Sequence, residues 1–380
     1  MTRIISADLT PFGRRDQDLI TLCAEASHST VRKYHDLIDM VIVSNSYSGE
    51  YCGISGLNSL ITTRLSLDRI PSVRIDNTSG SGGSAILMAD SLVRSGLAEC
   101  ILVVGGEKMT EVPGKKSTSI IASLLNREER SAGATLPSLA GILAREYMKA
   151  FGATRESIAS VSVKNHHNGT MNRYAQFQKE FSIQEVMESR IIADPLRLLD
   201  YCPVSDGAAS VLVTSDSVAE TASGEGIQIL GCSQSSDSSA ISERENITSL
   251  RAVRSAVSSV YSKTGLSQDD MDFAELHDMS TILEIVESEE AGFFRKGEGW
   301  KAALEGKTAL NGEIPINTSG GLISKGHPIG ATGIAQATEA YFQLTGRAGG
   351  RQVKAPETGL AVNMSGFGNN CTATVYGVVR

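Results

Sequence analysis

Cysteine is scarce in this chain: six occur among 380 residues, Cys23, Cys52, Cys100, Cys202, Cys232 and Cys371. None forms a Cys-x-x-C pair and none clusters with histidine, which argues against a disulfide framework or a zinc site. Reduced thiols in a cytoplasmic setting are the default expectation, with no metal. No stretch approaches the ~20 apolar residues of a membrane helix, so no membrane partner is expected. The start, Met1 to Ser6, lacks the apolar run of a signal peptide. Positive charge is short too. Thirty-five Lys+Arg against 43 Asp+Glu leave a net charge of −8, which excludes a general nucleic-acid binder but not a local basic patch for a phosphorylated ligand.

What is present describes a folded α/β chain: 41% hydrophobic, 21% charged, 37 glycines, and length enough for one large or two ordinary domains. Residues 3–8 read as a first strand, and 17–34 carry helix-spaced Leu19, Ile20, Leu22, Ala24 and Val31. Residues 38–44 and 100–105 are continuous β-branched or apolar runs, the mark of buried strands. A helix over 57–67 lies between them, followed by Ile75-Asp76-Asn77-Thr78-Ser79-Gly80-Ser81-Gly82-Gly83 and a helix ending near Gly96. Strands alternating with helices predict a parallel sheet covered on both faces.

From about 111 to 191 strand signals fade. Lys115 to Ser119 reads as a polar loop, 138–151 and 155–172 as helices, and the whole as an insertion capping one end of the sheet. An apolar strand resumes after Asp206-Gly207. The second half then restates the first, with strands near 227–231, 273–278 and 359–363 and helices over 245–264 and 281–294. Asn-Thr-Ser-Gly occurs at 77–80 and again at 317–320, each time ahead of a helix. A duplicated α/β unit follows, with halves at 1–217 and 218–380 and the insertion in the first.

Four strand-end loops carry chemistry-bearing residues: Ser79 in its glycine turn, His277-Asp278-Met279-Ser280, Gly326-His327-Pro328-Ile329-Gly330-Ala331-Thr332-Gly333, and Asn363-Met364-Ser365-Gly366. Ligands in open α/β sheets bind beyond the carboxyl ends of strands, so these loops are expected to converge. Neutral histidines beside an acyl group polarise its carbonyl or take a proton, and glycine-turn N–H groups receive an oxyanion. Taken alone, each has a plainer reading: Ser79 a helix cap, His327 a turn residue, His277 a strand-end residue held by Asp278. Gly105-Gly106 reads as a strand end, and Lys164 to His167 as a solvated helix face.

The set Asn-x-Ser-Gly-Ser-Gly, Gly-Gly-Glu-Lys-Met, Asp-Gly-Ala-Ala, His-Asp and Gly-His-Pro-Ile-Gly-Ala-Thr-Gly resembles the thiolase superfamily. Within it, the sequence is most similar to the sterol-carrier-protein-2-type and archaeal acetyl-CoA acetyltransferases, as are Lys164-Asn165-His166 and Ala175-Gln176-Phe177. The resemblance implies a five-layered αβαβα fold of two duplicated halves with an inserted loop domain. It implies acyl transfer between coenzyme A thioesters, with CoA as substrate and no covalently bound cofactor. It also implies a homodimer or homotetramer, with a further protein subunit of a thiolase complex as an additional partner.

Position by position, Ser79 stands where the family has its nucleophilic cysteine. His327 matches the activating histidine and oxyanion donor, and His277 a second oxyanion element. The backbone around Ser365 and Gly366 would hold the acyl oxygen, and Asn363 stands where relatives keep an acid/base cysteine. Met279 replaces another family cysteine, while Cys371 reads as a strand residue. Arg173 and Lys164 are the candidate phosphate contacts. A serine hydroxyl is far less ionised than a thiol of pKa about 8.5. Ser79 therefore leaves three expectations: an engineered trap, a homologue with retro-aldol or hydrolytic chemistry, or an acyl-CoA-binding subunit whose partner catalyses. A β-ketoacyl synthase relative, sharing the fold, fits the motif contexts less well.

Overall fold

The computed structural model describes residues 1–222 and 225–379; Ser223, Gly224 and Arg380, inside the expected second half, lie outside the described residues. Nine strands form one sheet: β1 (Thr2–Leu9), β2 (Met40–Ser44), β3 (Ser72–Ile75), β4 (Cys100–Glu107), β5 (Gly207–Ser215), β6 (Ile227–Ser236), β7 (Phe273–Glu275), β8 (Thr358–Ser365) and β9 (Asn370–Val378). Their order is β3-β2-β4-β5-β1-β6-β9-β8-β7, and within this sheet the two halves meet where Thr2 to Ile4 pairs with Ile227 to Ile229. The helices that matter are α1 (Leu19–Tyr34), α2 (Ser81–Arg94), α3 (Gly114–Ala122), α4 (Leu136–Phe151), α5 (Arg155–Thr170), α6 (Arg251–Thr264), α7 (Thr281–Glu290) and α8 (Thr332–Leu344).

The sheet is mixed, not parallel throughout as the alternation of elements predicts. β2 runs parallel to β3 and β4, and β7 to β8, but β5 and β9 are antiparallel to both neighbours. The reason is connectivity. β5 returns from the long insertion instead of from a crossover helix, and β8 reaches β9 through a tight turn at 366–369.

Five layers result. α1 covers the outer face of the first half of the sheet and α6 that of the second, while α2 and α8 lie between and touch strands of both halves. Three apolar clusters fill the gaps, one outside each half and one around the central helices. The repeat is visible in β1–α1–β2 against β6–α6–β7, and in β3–α2–β4 against Ile316–α8–β8. In the second copy the strand before the central helix shrinks to one bridge between Ala274 and Ile316, beside Pro315, which has no N–H for a ladder.

α2 and α8 approach at glycines. A Cβ on Gly82 would stand 2.7 Å from the Gly333 backbone, and one on Gly333 would stand 2.3 Å from the Gly83 nitrogen. Only glycine lets the two chain segments, one from each half, come this close.

The insertion packs its α4 and α5 against α7 and the core of the second half. Two expectations fail here. Lys115 to Ser119 is helical within α3: Ser117 and Ile121, one turn apart, face inward, and the buried Ser117 hydroxyl meets Tyr51 Oη at 2.8 Å. Lys164 to His166 turn inward, and the solvated reading holds for His167 alone, which is 58% exposed. Lys164 is 10% exposed and pairs with Glu284 at 2.8 Å, Asn165 donates to Asp278 and Glu284, and buried His166 packs on Phe177 and Phe181. Lys164 and the Asn165 NH2 sit inside because each meets a carboxylate there, while His166 is held by ring packing with its Nδ1 unpartnered; a single sequence displays neither.

Candidate active site

Ser79 follows a sharp turn between β3 and α2. Thr78 before it has φ 44, a left-handed conformation strained for a β-branched residue. The turn is held by Ser81 Oγ, which donates to Thr78 O at 2.6 Å and accepts from Asn77 N at 2.8 Å. Ser79 itself is 2% exposed, and its hydroxyl has no hydrogen-bond partner among the described residues.

Ser79 and His327 line one cavity of about 180 Å³. Its wall is apolar and comes largely from the insertion and the loop before β5: Ile121, Ala122, Leu136, Pro137, Tyr201 and Val204, with Met109, Met279 and Ile329 from the strand-end loops. Cys202 also reaches it, but burial, then Asp278, pushes that thiol up to about 12.

The hydrogen bonds fix the two imidazoles in opposite senses. Thr332 Oγ1 donates to Pro328 O at 3.0 Å, so it accepts from His327 Nδ1 at 2.7 Å. His327 Nε2 is then the bare nitrogen. Burial, reinforced by Lys325, lowers His327 to about 3, so the ring is neutral.

His277 carries the reverse tautomer. Asn363 Oδ1 accepts from Gly83 N at 2.8 Å and its Nδ2 donates to Ser79 O at 3.0 Å, which settles the amide's orientation. The same Nδ2 stands 3.2 Å from His277 Nδ1, which must accept, leaving the proton on Nε2. That Nε2–H is buried without a partner. Burial and His327 hold His277 well below its usual value, and the rings meet edge to face with centroids 5.0 Å apart. One neutral base and one neutral donor therefore stand side by side.

Not every expected residue arrives. His277 is fully buried behind His327 and does not line the cavity. Asp278 does not hold it; that carboxylate turns to Leu322 N at 2.7 Å and Asn165 Nδ2 at 2.7 Å, while His277 N donates to Glu287 at 2.8 Å. Ser365 meets Thr78 Oγ1 at 2.7 Å, and Gly366 sits in the β8–β9 turn at φ 59; neither lines the cavity. Lys164 is spent on Glu284 and Ile316 O, and Arg173 lies over the Tyr174 ring; neither lines the cavity at Ser79. Gly105-Gly106 lies within β4, with Gly330 O 2.3 Å from a Cβ at Gly105. Cys371 is in β9.

Sequence reasoning passed over Glu107 and Asp206. Asp206 is fully buried and accepts from Met109 N, Thr110 N and Lys108 Nζ, fixing the loop that carries Met109 into the cavity. The available signal was an ionisable residue at the edge of an otherwise apolar strand, Glu107 closing β4 and Asp206 just ahead of β5.

Two family models cover the chain: "Thiolase, N-terminal domain" over residues 2–217 and "Thiolase C-terminal domain-like" over 233–378. An acetyl-CoA acetyltransferase of Methanothermobacter thermautotrophicus is 38% identical over 340 residues, 89% of this chain and 88% of that protein. Sterol carrier protein 2 of Rattus norvegicus is 33% identical over 386 residues, 97% of this chain and 69% of that protein. Among solved structures, the Ltp2-ChsH2(DUF35) aldolase superposes with a TM-score of 0.85 at 23% identity, covering 100% of this chain and 98% of that one, a likeness of fold. With its duplicated five-layer architecture and both family models matched, the chain belongs to the thiolase family.

Proposed function

We propose that the chain is an acyl-CoA C-acyltransferase of the acetyl-CoA acetyltransferase type, with Ser79 and His327 as its reacting pair and His277, outside the cavity wall but edge to face with His327 and with its Nε2–H unpartnered, as donor to an acyl oxygen that reaches past His327. The observation that carries this reading is the unpartnered Ser79 hydroxyl sharing an apolar cavity with the bare Nε2 of a neutral histidine. Ser79 Oγ attacks the thioester carbonyl as His327 Nε2 takes its proton; the carbonyl oxygen's charge falls to an N–H donor, and the CoA thiolate leaves with the proton from His327. Claisen condensation then needs a base at the second substrate's α-carbon. His327, deprotonated again, is the group in place, since Met279 and Asn363 stand where relatives have thiols.

The experiment is intact-mass spectrometry after exposure to acetyl-CoA and acetoacetyl-CoA, with Ser79→Cys alongside. A stable acyl adduct on the wild type and faster exchange by Ser79→Cys are expected. Absence of both would remove Ser79 from the nucleophile position. The same reading carries halves at 1–217 and 218–380, a cytoplasmic homodimer or homotetramer acting in lipid metabolism, and a second-subunit partner of the kind the aldolase complex's name contains.

A second reading is favoured by the single-base site. A 3-hydroxyacyl thioester is cleaved when His327 Nε2 takes the hydroxyl proton, the Cα–Cβ bond breaks, and the proton returns to the enolate carbon. Carbonyl compound and shortened acyl-CoA then appear in equal amounts with no free CoA consumed, which separates it from thiolysis.

A further inference from the structure

Glu107 closes β4, is fully buried, and does not line the cavity. A carboxylate at 0% exposure is costly unless every oxygen is engaged. Here both are. Oε1 accepts from Asn45 Nδ2 at 2.8 Å and Tyr47 N at 3.0 Å; Oε2 accepts from Ser46 N at 3.2 Å and Gly330 N at 3.0 Å. Three of these donors belong to the loop after β2 in the first half. The fourth belongs to the His327 loop of the second.

The first-half loop is itself tied to the turn of Ser79. Ser46 Oγ donates to Thr78 O at 2.9 Å and lies 3.0 Å from Ser81 Oγ. On the other side, Ser44 Oγ donates to Gly330 O at 2.6 Å, so Gly330 is gripped at both its N–H and its carbonyl. There is no slack: a Cβ on Gly330 would stand 2.7 Å from Ser44 O and 2.8 Å from Gly106 O.

We propose that Glu107 is a positioning residue that sets the separation of Ser79 and His327, by clamping the His327 loop to the loop that carries the Ser79 turn. This rests on the reading of Ser79 and His327 as the reacting pair. Four N–H donors make the clamp specific. Each oxygen accepts two N–H groups, so an amide in place of the carboxylate must turn its NH2 toward two donors whichever way it rotates. A misplacement on the order of 1 Å between reacting groups costs about 100-fold in rate.

The test compares wild type, Glu107→Gln and Glu107→Asp by acyl-exchange kinetics, thermal melting, and side-chain 15N NMR of His327. Glu107→Gln is expected to lower kcat by roughly 10- to 100-fold with KM within about twofold, and to shift or broaden the His327 signals. Glu107→Asp, which keeps a carboxylate without an NH2 group, restores part of both. A folded Glu107→Gln with wild-type His327 signals and kcat, or with a changed melting temperature alone, overturns the proposal. If Glu107→Gln does not fold, Ser44→Ala releases the other grip on Gly330 without touching a charge; unperturbed His327 signals there overturn it equally. The NMR readout needs no turnover, so an enzyme inert toward acyl-CoA would defeat the acyl-transfer reading while leaving the clamp to be judged on its own.

Discussion

Asn363 fixes the tautomer of His277: its Nδ2 lies 3.2 Å from His277 Nδ1, while Gly83 N and Ser79 O prevent the amide from turning over. One amide thus touches the first half of the fold and the second-half histidine at once.

Replacing that amide by a carboxylate reverses the arrangement. Asn363→Asp keeps the acceptor for Gly83 N but now presents an acceptor to His277 Nδ1, drawing the proton there and leaving Nε2 bare. With His277 in its proposed role, this is the loss of an oxyanion donor, which costs about 100- to 1,000-fold in kcat; a fall of that order is expected with little change in KM. Asn363→Ala, which permits both tautomers, should lose less. Kinetics of the two variants, with 15N shifts of His277, check the order.

The pH behaviour of His327 follows from its burial. Its folded value is about 3 against 6.5 in the unfolded chain, so between these the unfolded state binds the extra proton and folding stability falls as pH falls. Glu107, raised to about 7 by burial, acts with the opposite sign between 4.5 and 7, so total stability blends the two. The difference between wild type and His327→Gln isolates the histidine. Relative to that variant, wild type should lose about 1 kcal/mol per pH unit as pH falls from 6 to 5. Urea titrations at pH 7, 6 and 5 measure it; a flat difference would mean the ring is not held neutral.

The meeting of α2 and α8 yields a stability prediction with an internal control. Gly333→Ala drives a Cβ to 2.3 Å from Gly83 N and 2.5 Å from Asn363 Oδ1, both fixed groups. Overpacking of this kind costs about 1–3 kcal/mol, and because it pries Ser79 from His327, activity should fall further than stability. Gly114→Ala, with nothing within 4 Å of its Cβ, should melt at or slightly above wild type. Thermal melts and kcat for the pair settle whether the glycine contact holds the halves together.

Much of this was legible in the chain because local signals and tertiary roles agree. The apolar runs at 38–44 and 100–105 became β2 and β4, and both copies of Asn-Thr-Ser-Gly stand ahead of a helix, α2 in the first half and the short Gly321–Lys325 in the second. Legibility ended where polar residues are buried in pairs. Lys164 and Asn165 read as solvated, yet they face Glu284 and Asp278 from a distant part of the chain. The Asn363 amide matters through three partners, two of them some 280 positions away, which its neighbours in sequence do not reveal. Composition and period carry no such information, since they report which face is apolar and not which polar groups complement each other.

The apolar wall of the cavity leads to a last expectation about substrate binding. Ala122, at the end of α3, lines the cavity and is 9% exposed, so a larger side chain there projects into the space that would hold an apolar acyl or pantetheine segment. Ala122→Phe removes room that ground state and transition state use alike, and such a loss raises KM while sparing kcat. An increase in KM of about tenfold, corresponding to about 1.4 kcal/mol of lost binding, is expected with kcat within a factor of about two. The contrast with Asn363→Asp makes the measurement informative, because that variant lowers kcat at constant KM. Should Ala122→Phe leave KM unchanged for acetyl-CoA and for longer acyl-CoA alike, the substrate does not pass through the space bounded by the insertion, and the cavity at Ser79 is not its binding site.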